Sequence, residues 1–142
     1  KNIASSIHAP IKIAGRFIPT NIQQQFAQLQ NIQWINNPDE PTMRALLQQA
    51  QVHFLYTKQA TGLKLKLLNV LHVGRHVVVN SKMLAGTNLQ VACLVADSIE
   101  EQIVQINTAM QIEFTTKDSE KRSEQLSNFN NQTNLQKLIK LL

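Results

Sequence analysis

Short apolar runs rich in Val and Ile recur along this chain, and helical patterns separate most of them. Ile11-Lys12-Ile13-Ala14 reads as a strand ending at Gly15, and Ile32-Gln33-Trp34-Ile35 as a second. Residues 52–56, 77–79 and 92–96 supply three more. Between them, residues 21–29 place Ile22, Phe26 and Leu29 at helical spacing, and residues 41–50 do the same with Met43, Leu46 and Leu47 behind Pro41. Residues 63–73 put Leu63, Leu67, Val70 and Leu71 on one helical face, with Gly74 as a C-terminal cap. Ser98-Ile99-Glu100-Glu101 is a capping box opening a helix through Ile103, Ile106 and Met110. The tail from Lys117 reads as one or two further helices, the last apolar at Leu135, Leu138, Ile139 and Leu142. Continuously apolar strands that alternate with helices belong to parallel sheets covered on both faces. The expected fold is therefore α/β, a Rossmann-like doubly wound parallel sheet with right-handed crossovers.

The chain has 142 residues, about one domain's worth, with 43% hydrophobic and 16% charged residues. That is enough apolar material for a core, and the charge is too dilute for a disordered tail. No apolar run approaches the ~20 residues a membrane span needs. The lone Cys93 cannot form an internal disulfide, so a reducing, cytoplasmic setting is expected. The four glycines, Gly15, Gly62, Gly74 and Gly86, are never closer than twelve positions. That spacing excludes a dinucleotide G-x-G-x-x-G, a P-loop and a G-x-S-x-G nucleophile elbow.

The net charge is +5, but its distribution says more. Between Arg44 and Ala96 there is no acidic residue, while Lys58, Lys64, Lys66, Arg75 and Lys82 fall there. Seven of the nine acids lie from Asp97 to Glu124. The middle of the chain should carry positive potential, suited to an anion or readable as scattered surface lysines. In such folds ligands sit beyond the carboxyl ends of the strands. The loops there are Gly15-Arg16, Asn36-Asn37, 57–62 and 80–87. The 57–62 loop leads into a helix whose free N–H groups and positive dipole end suit a phosphate.

Gly62, Lys66 and Asn69 share one side of that helix by spacing. Lys66 reads either as a solvated lysine or as a cation beside the anion site. Asn69 reads as a surface residue or as a partner for a sugar hydroxyl. Lys64, about 200° around the helix from Lys66, is expected to face away. His72 and His76 have the spacing of helical zinc ligands, but Gly74 stands between them and no Cys or carboxylate is near, so no metal is expected. Cys93 and His53 read as core residues. Trp34 and the phenylalanines do not interleave with the basic residues, so no nucleic-acid partner is expected.

The segment Ala60-Thr61-Gly62-Leu63-Lys64-Leu65-Lys66-Leu67-Leu68-Asn69-Val70-Leu71-His72-Val73-Gly74-Arg75-His76-Val77-Val78-Val79 resembles the donor-site motif of GT-B glycosyltransferases of the group 1 type. Lys82-Met83-Leu84-Ala85-Gly86-Thr87 looks like that family's next loop, Val95-Ala96-Asp97-Ser98 like its following helix start, and Ile11 to Arg16 like its second donor-domain strand. The resemblance implies that residues 1–142 are a single donor-binding domain, the C-terminal fragment of an enzyme whose acceptor domain and first donor strand lie outside it. It implies nucleotide-sugar binding by Gly15, Arg16, Thr61, Gly62, Leu63, Lys66, Asn69, Gly86 and Thr87, and hexosyl transfer to an acceptor hydroxyl. It identifies no catalytic residue, requires no cofactor or metal, and implies a cytoplasmic enzyme whose full-length form associates peripherally with a membrane. Where many relatives carry Glu-x7-Glu, this chain has Thr61 and Asn69, neither of them a carboxylate, and the family's proline is His76. Two other readings compete: a nucleotide-sugar epimerase-like domain, which needs acid/base groups at the cleft, and a doubly wound interaction module whose basic loops meet an acidic partner.

Overall fold

The computed structural model describes residues 3–61 and 64–129. Strands β1 (Ile11–Gly15), β2 (Ile32–Asn36), β3 (Val52–Leu55), β4 (His76–Val79) and β5 (Leu94–Val95) alternate with helices α1 (Thr20–Gln25), α2 (Glu40–Gln49), α3 (Leu65–Val73), α4 (Ser81–Leu84), α5 (Ile99–Gln111) and α6 (Thr116–Leu126). Every ladder is parallel, as the continuous apolar runs required. The one sheet expected is instead two. β1 pairs with β2, Ile11 opposite Ile32, while β4 lies between β3 and β5. Periodicity fixes which segments are extended, but lateral order depends on backbone hydrogen bonds between neighbours, and no such ladder joins β1 to β3. The two sheets still share packing. Ile11 of β1 and Val52 of β3 rest against one apolar cluster of Ile7, Val78, Ala96 and Ile106.

The core is organised by β4. Side chains alternate across a strand, so Val77 and Val79 face one way and Val78 the other. Val77 and Val79 meet Leu67, Val70 and Leu71 of α3, Met83 and Leu84 of α4, and Leu126 of α6. Val78 meets Ile106 of α5 on the opposite face. All three valines are essentially inaccessible, at 1% exposed or less. Each contributes about 1.5–3 kcal/mol relative to exposure. Both faces of this sheet are thus covered by helices.

Helix ends follow local chemistry. The Asp39 carboxylate accepts from Thr42 N–H at 2.9 Å and starts α2. The expected capping box starts α5: Ser98 Oγ accepts from Glu101 N–H, and the Glu101 carboxylate accepts from Ser98 N–H, each at 3.1 Å. A second box, Thr115 with Asp118, starts α6. Arg122 of α6 donates to the carbonyls of Gly74 and Arg75 at 2.8 and 2.6 Å, placing a cation at the negative end of α3, and it lies over the Phe114 ring.

Three expected elements come out shorter. α1 ends at Gln25 because Phe26 and Ala27 tighten to i→i−3 bonds on Gln23 and Gln24, which turns Phe26 onto Trp34. Gln90–Ala92 form a 3-10 turn, leaving β5 only two residues. α3 begins at Leu65 rather than 63. The apolar tail helix at 135–142 lies outside the described residues. Among those described, no helix is long and apolar enough to cross a membrane.

Gly74 does cap α3, but not through left-handed backbone: its φ is −88°. It is glycine for space. A Cβ there would sit 2.5 Å from His53 Nε2 and 2.7 Å from the Val70 carbonyl. His53 is buried and donates from Nε2 to the Leu47 carbonyl at 3.0 Å. Burial, against that hydrogen bond and with help from the Arg122 and Arg75 charges, holds its pKa below the ordinary value. Cys93 lies in the apolar layer, where burial pushes its thiol up to about 11.

The His53 shift sets a pH dependence. A histidine whose folded pKa is depressed contributes fully above its unfolded pKa of about 6.5, and that stability is lost as pH falls through the lowered folded value. Urea unfolding at neutral pH and below 6 should show a falling midpoint in the wild type and a much smaller fall in His53→Gln. An equal fall in both would remove His53 as the cause.

Candidate functional site

Parallel strands bring their carboxyl ends to one edge, and there the loops are tied together by side chains. Asn80, at the end of β4, is 3% exposed. Its amide pairs with the backbone of Thr57 just past β3: Thr57 N–H donates to Oδ1 at 3.1 Å and Nδ2 donates to the Thr57 carbonyl at 2.8 Å. The side chain thus extends the β3–β4 ladder by one step. The Thr57 hydroxyl in turn accepts from Gln59 N–H and donates to the Gln59 carbonyl, both at 3.2 Å. Lys64 closes the loop from the other side, its ammonium donating to the carbonyls of Gln59 at 3.1 Å and Thr61 at 2.7 Å.

Next in the chain, Ser81 joins β4 to β5. Its N–H and hydroxyl donate to the two oxygens of Asp97 at 2.8 and 2.5 Å. These Ser81 bonds hold the exposed Asp97 carboxyl below its ordinary pKa. Backbone bonds from Ser98 and Asp97 do the same for Glu101. Both acids are therefore anionic acceptors for backbone near neutrality rather than proton carriers. The chain of contacts runs from Lys64 through Gln59, Thr57, Asn80, Ser81 and Asp97 to Glu101, spanning the loops after β3, β4 and β5.

The residues expected at a donor site are spread over the end of β1, the start of α3 and the loop after α4. Gly15 ends β1 opposite Asn36, and its carbonyl accepts from Asn37 N–H at 2.7 Å. Arg16 follows it, exposed. Thr61 is exposed, with its carbonyl held by Lys64. Lys66 stands in the first turn of α3 and Asn69 lies further along, both exposed. Gly86 has φ +76° and open space where a Cβ would be, and the Thr87 hydroxyl donates to the Leu84 carbonyl at 2.8 Å. Gly62 and Leu63 lie outside the described residues. Among those described, no hydrogen bond links Arg16, Lys66, Asn69, Gly86 and Thr87 to one another.

The helical side expected to join Gly62 to Lys66 and Asn69 falls in part on a residue outside those described. One sequence expectation needs correction. Lys64 does not face away on the helix surface. It is the residue before α3, it is 8% exposed, and it folds back onto the loop. Helical projection assumed the helix had already begun; its start at Leu65 leaves Lys64 ahead of the helix and buried against the loop. Asn80, Ser81 and Asp97 were not singled out as a group. The signal was an Asn-Ser pair directly after a valine run, but their partners are distant in sequence.

Of the two histidines at zinc-like spacing, His76 serves another end: its Nε2 donates to the Ile112 carbonyl at 2.9 Å, and its ring meets Phe114 edge-on. Among the described residues, no three His, Cys, Asp or Glu converge as a metal site. A cavity of about 910 Å³ lies elsewhere, between the C-terminal end of α3 and α6, lined by His72, Arg75, Ser119 and Arg122. No protein-family model, curated protein or solved structure matches this chain.

Removing the Asn80 amide strands a partly buried N–H and carbonyl at Thr57. Asn80→Ala should lower unfolding free energy by about 1–3 kcal/mol, the usual cost of orphaned buried polar groups. Urea denaturation checks this, and a change below ~0.5 kcal/mol would show that the loop does not depend on the pairing.

Proposed function

We propose that this chain is the nucleotide-sugar donor-binding domain of a glycosyltransferase, acting in hexosyl transfer to an acceptor hydroxyl. The observation that carries the reading is the braced β3–α3 loop at the carboxyl end of a parallel sheet, opening onto a helix with an exposed Lys66 in its first turn. Helix N-termini after parallel strands favour phosphates because unpaired N–H groups and the dipole both point there. No carboxylate from the sequence between Arg44 and Ala96 opposes an anion.

In this reading the two small sheets are arms of one doubly wound arrangement. Parallel strands throughout, helices on both faces of the β3–β4–β5 sheet and the cluster shared by Ile11 and Val52 support it. Gly15-Arg16 and Gly86-Thr87 then flank the loop before α3. The α3 amides, Lys66 and Arg16 meet the diphosphate, whose charge grows as it leaves. Asn69 meets a ribose hydroxyl. The sequence offers Thr61 and Asn69 where related enzymes use carboxylates, so the transferred sugar is held by neutral contacts.

Calorimetric titration with UDP, GDP and a non-nucleotide polyanion tests the reading. One nucleotide should bind selectively, and binding should survive EDTA. Lys66→Ala should weaken it roughly ten-fold, since a charge-assisted contact is typically worth about 1.5–3 kcal/mol. Equal responses to every polyanion would instead indicate a basic surface for an acidic partner and would end the donor-site reading.

A further inference from the structure

Arg122 is a buried cation without a matching charge. It is 7% exposed, and its guanidinium donates to two neutral acceptors, the Gly74 and Arg75 carbonyls. The Phe114 ring lies 4.6 Å beneath it. Its Nε is buried and has no hydrogen-bond partner among the described residues. Burial holds its pKa below the ordinary value. The Asp118 carboxylate acts on it electrostatically, but that carboxylate is already taken up by the Thr115 N–H and hydroxyl at 2.8 and 2.7 Å. Buried charges are normally paired, and a buried polar group left without a partner calls for a reason.

This cation lines the cavity of about 910 Å³ between the end of α3 and α6. Small-molecule sites commonly measure about 300–1,000 Å³. The wall is sorted by charge. α6 carries Asp118, Glu120 and Glu124, yet the side it turns to the cavity holds Thr116, Ser119, Arg122 and Ser123, at helical spacing. His72 and Arg75 complete the polar wall, and no Asp or Glu is among the described residues lining it. The hydroxyls of Thr116, Ser119 and Ser123 make no hydrogen bond among the described residues, so they remain open to a ligand. α6 also begins at this wall, which adds the positive end of its dipole. α3 ends there with the opposite sign, and the Arg122 guanidinium stands against that end.

We propose that this cavity is a binding site for a phosphorylated small molecule, with the phosphate held by Arg75, His72 and the α6 hydroxyls in the field of the buried Arg122. Donors from a guanidinium, an imidazole and three hydroxyls suit the three outer oxygens of a phosphate better than the two of a carboxylate. The volume leaves room for an organic part beside it. The site lies where the chain enters β4, at the opposite end of that strand from Asn80, and it does not depend on the donor-site reading.

The test titrates the 15N-labelled chain with ribose 5-phosphate, inorganic phosphate and ribose. Ribose 5-phosphate should shift the amides of Arg75, Thr116 and Ser119 and the Arg122 Nε–H signal. Inorganic phosphate should shift the same set more weakly, and ribose should shift none of it. Calorimetry then compares variants of exposed residues, so that folding is not at stake. Arg75→Ala should weaken ribose 5-phosphate binding at least ten-fold, as expected for loss of a charge-assisted contact. Lys121→Ala removes an exposed charge from α6 outside the cavity wall and should change it little. Cavity amides unmoved by either phosphate at millimolar concentration would overturn the proposal. So would an equal response to ribose, shifts at Ala60 and Thr61 in place of the cavity, an unmoved Arg122 Nε–H, or equal losses in the two variants.

Discussion

The burial of Val77, Val78 and Val79 in β4 is the constraint from which most of this structure follows. A three-residue apolar run cannot satisfy its backbone alone, so it takes a parallel neighbour on each side, β3 and β5. Its side chains alternate, so it also needs cover on both faces. α3, α4 and α6 supply one layer and α5 the other. Gly74 lets the chain enter β4 directly beneath the His53 ring, and Arg122 ties α6 to the same corner through the Gly74 and Arg75 carbonyls. At the other end of the strand the apolar run stops at Asn80, and the chemistry changes at once.

That change gives the carboxyl edge its character. Where β4 ends, a buried amide takes over from ladder hydrogen bonds and fastens the loop after β3, while the next residue fastens the start of the helix after β5. The loops are thus hydrogen-bonded to one another where they meet the sheet. The carboxylates nearby are occupied with backbone donors and held ionised by them, so this edge is suited to binding and orienting a ligand more than to exchanging protons with one.

Much of the fold was legible from periodicity. All five strands and the helices over 41–50, 63–73 and from Ile99 were located to within a few residues, because their apolar spacing and capping residues are local signals. The pairing of strands into two sheets was not, since nothing local in Ile11 to Gly15 or Val52 to Leu55 states its lateral neighbour. Gly74 was placed correctly for an incomplete reason: the C-cap is real, but the position excludes a Cβ because His53, far away in sequence, fills the space. The lysines show the sharper limit. Lys64 and Lys66 differ in the helical projection only if the helix begins before both. A start at Leu65 sends Lys64 inward and leaves Lys66 in solvent. Element ends are where pattern reasoning is weakest, and here the candidate site sits on such an end.

Amide chemical-shift mapping of the 15N-labelled chain with UDP and GDP addresses the central claim most directly, because it reports where a ligand sits as well as whether it binds. The largest perturbations are expected at Ala60, Thr61 and the first turn of α3, with smaller ones at Gly15-Arg16 and Gly86-Thr87. Perturbations scattered over the basic surface, or confined to the cavity between α3 and α6, would contradict it.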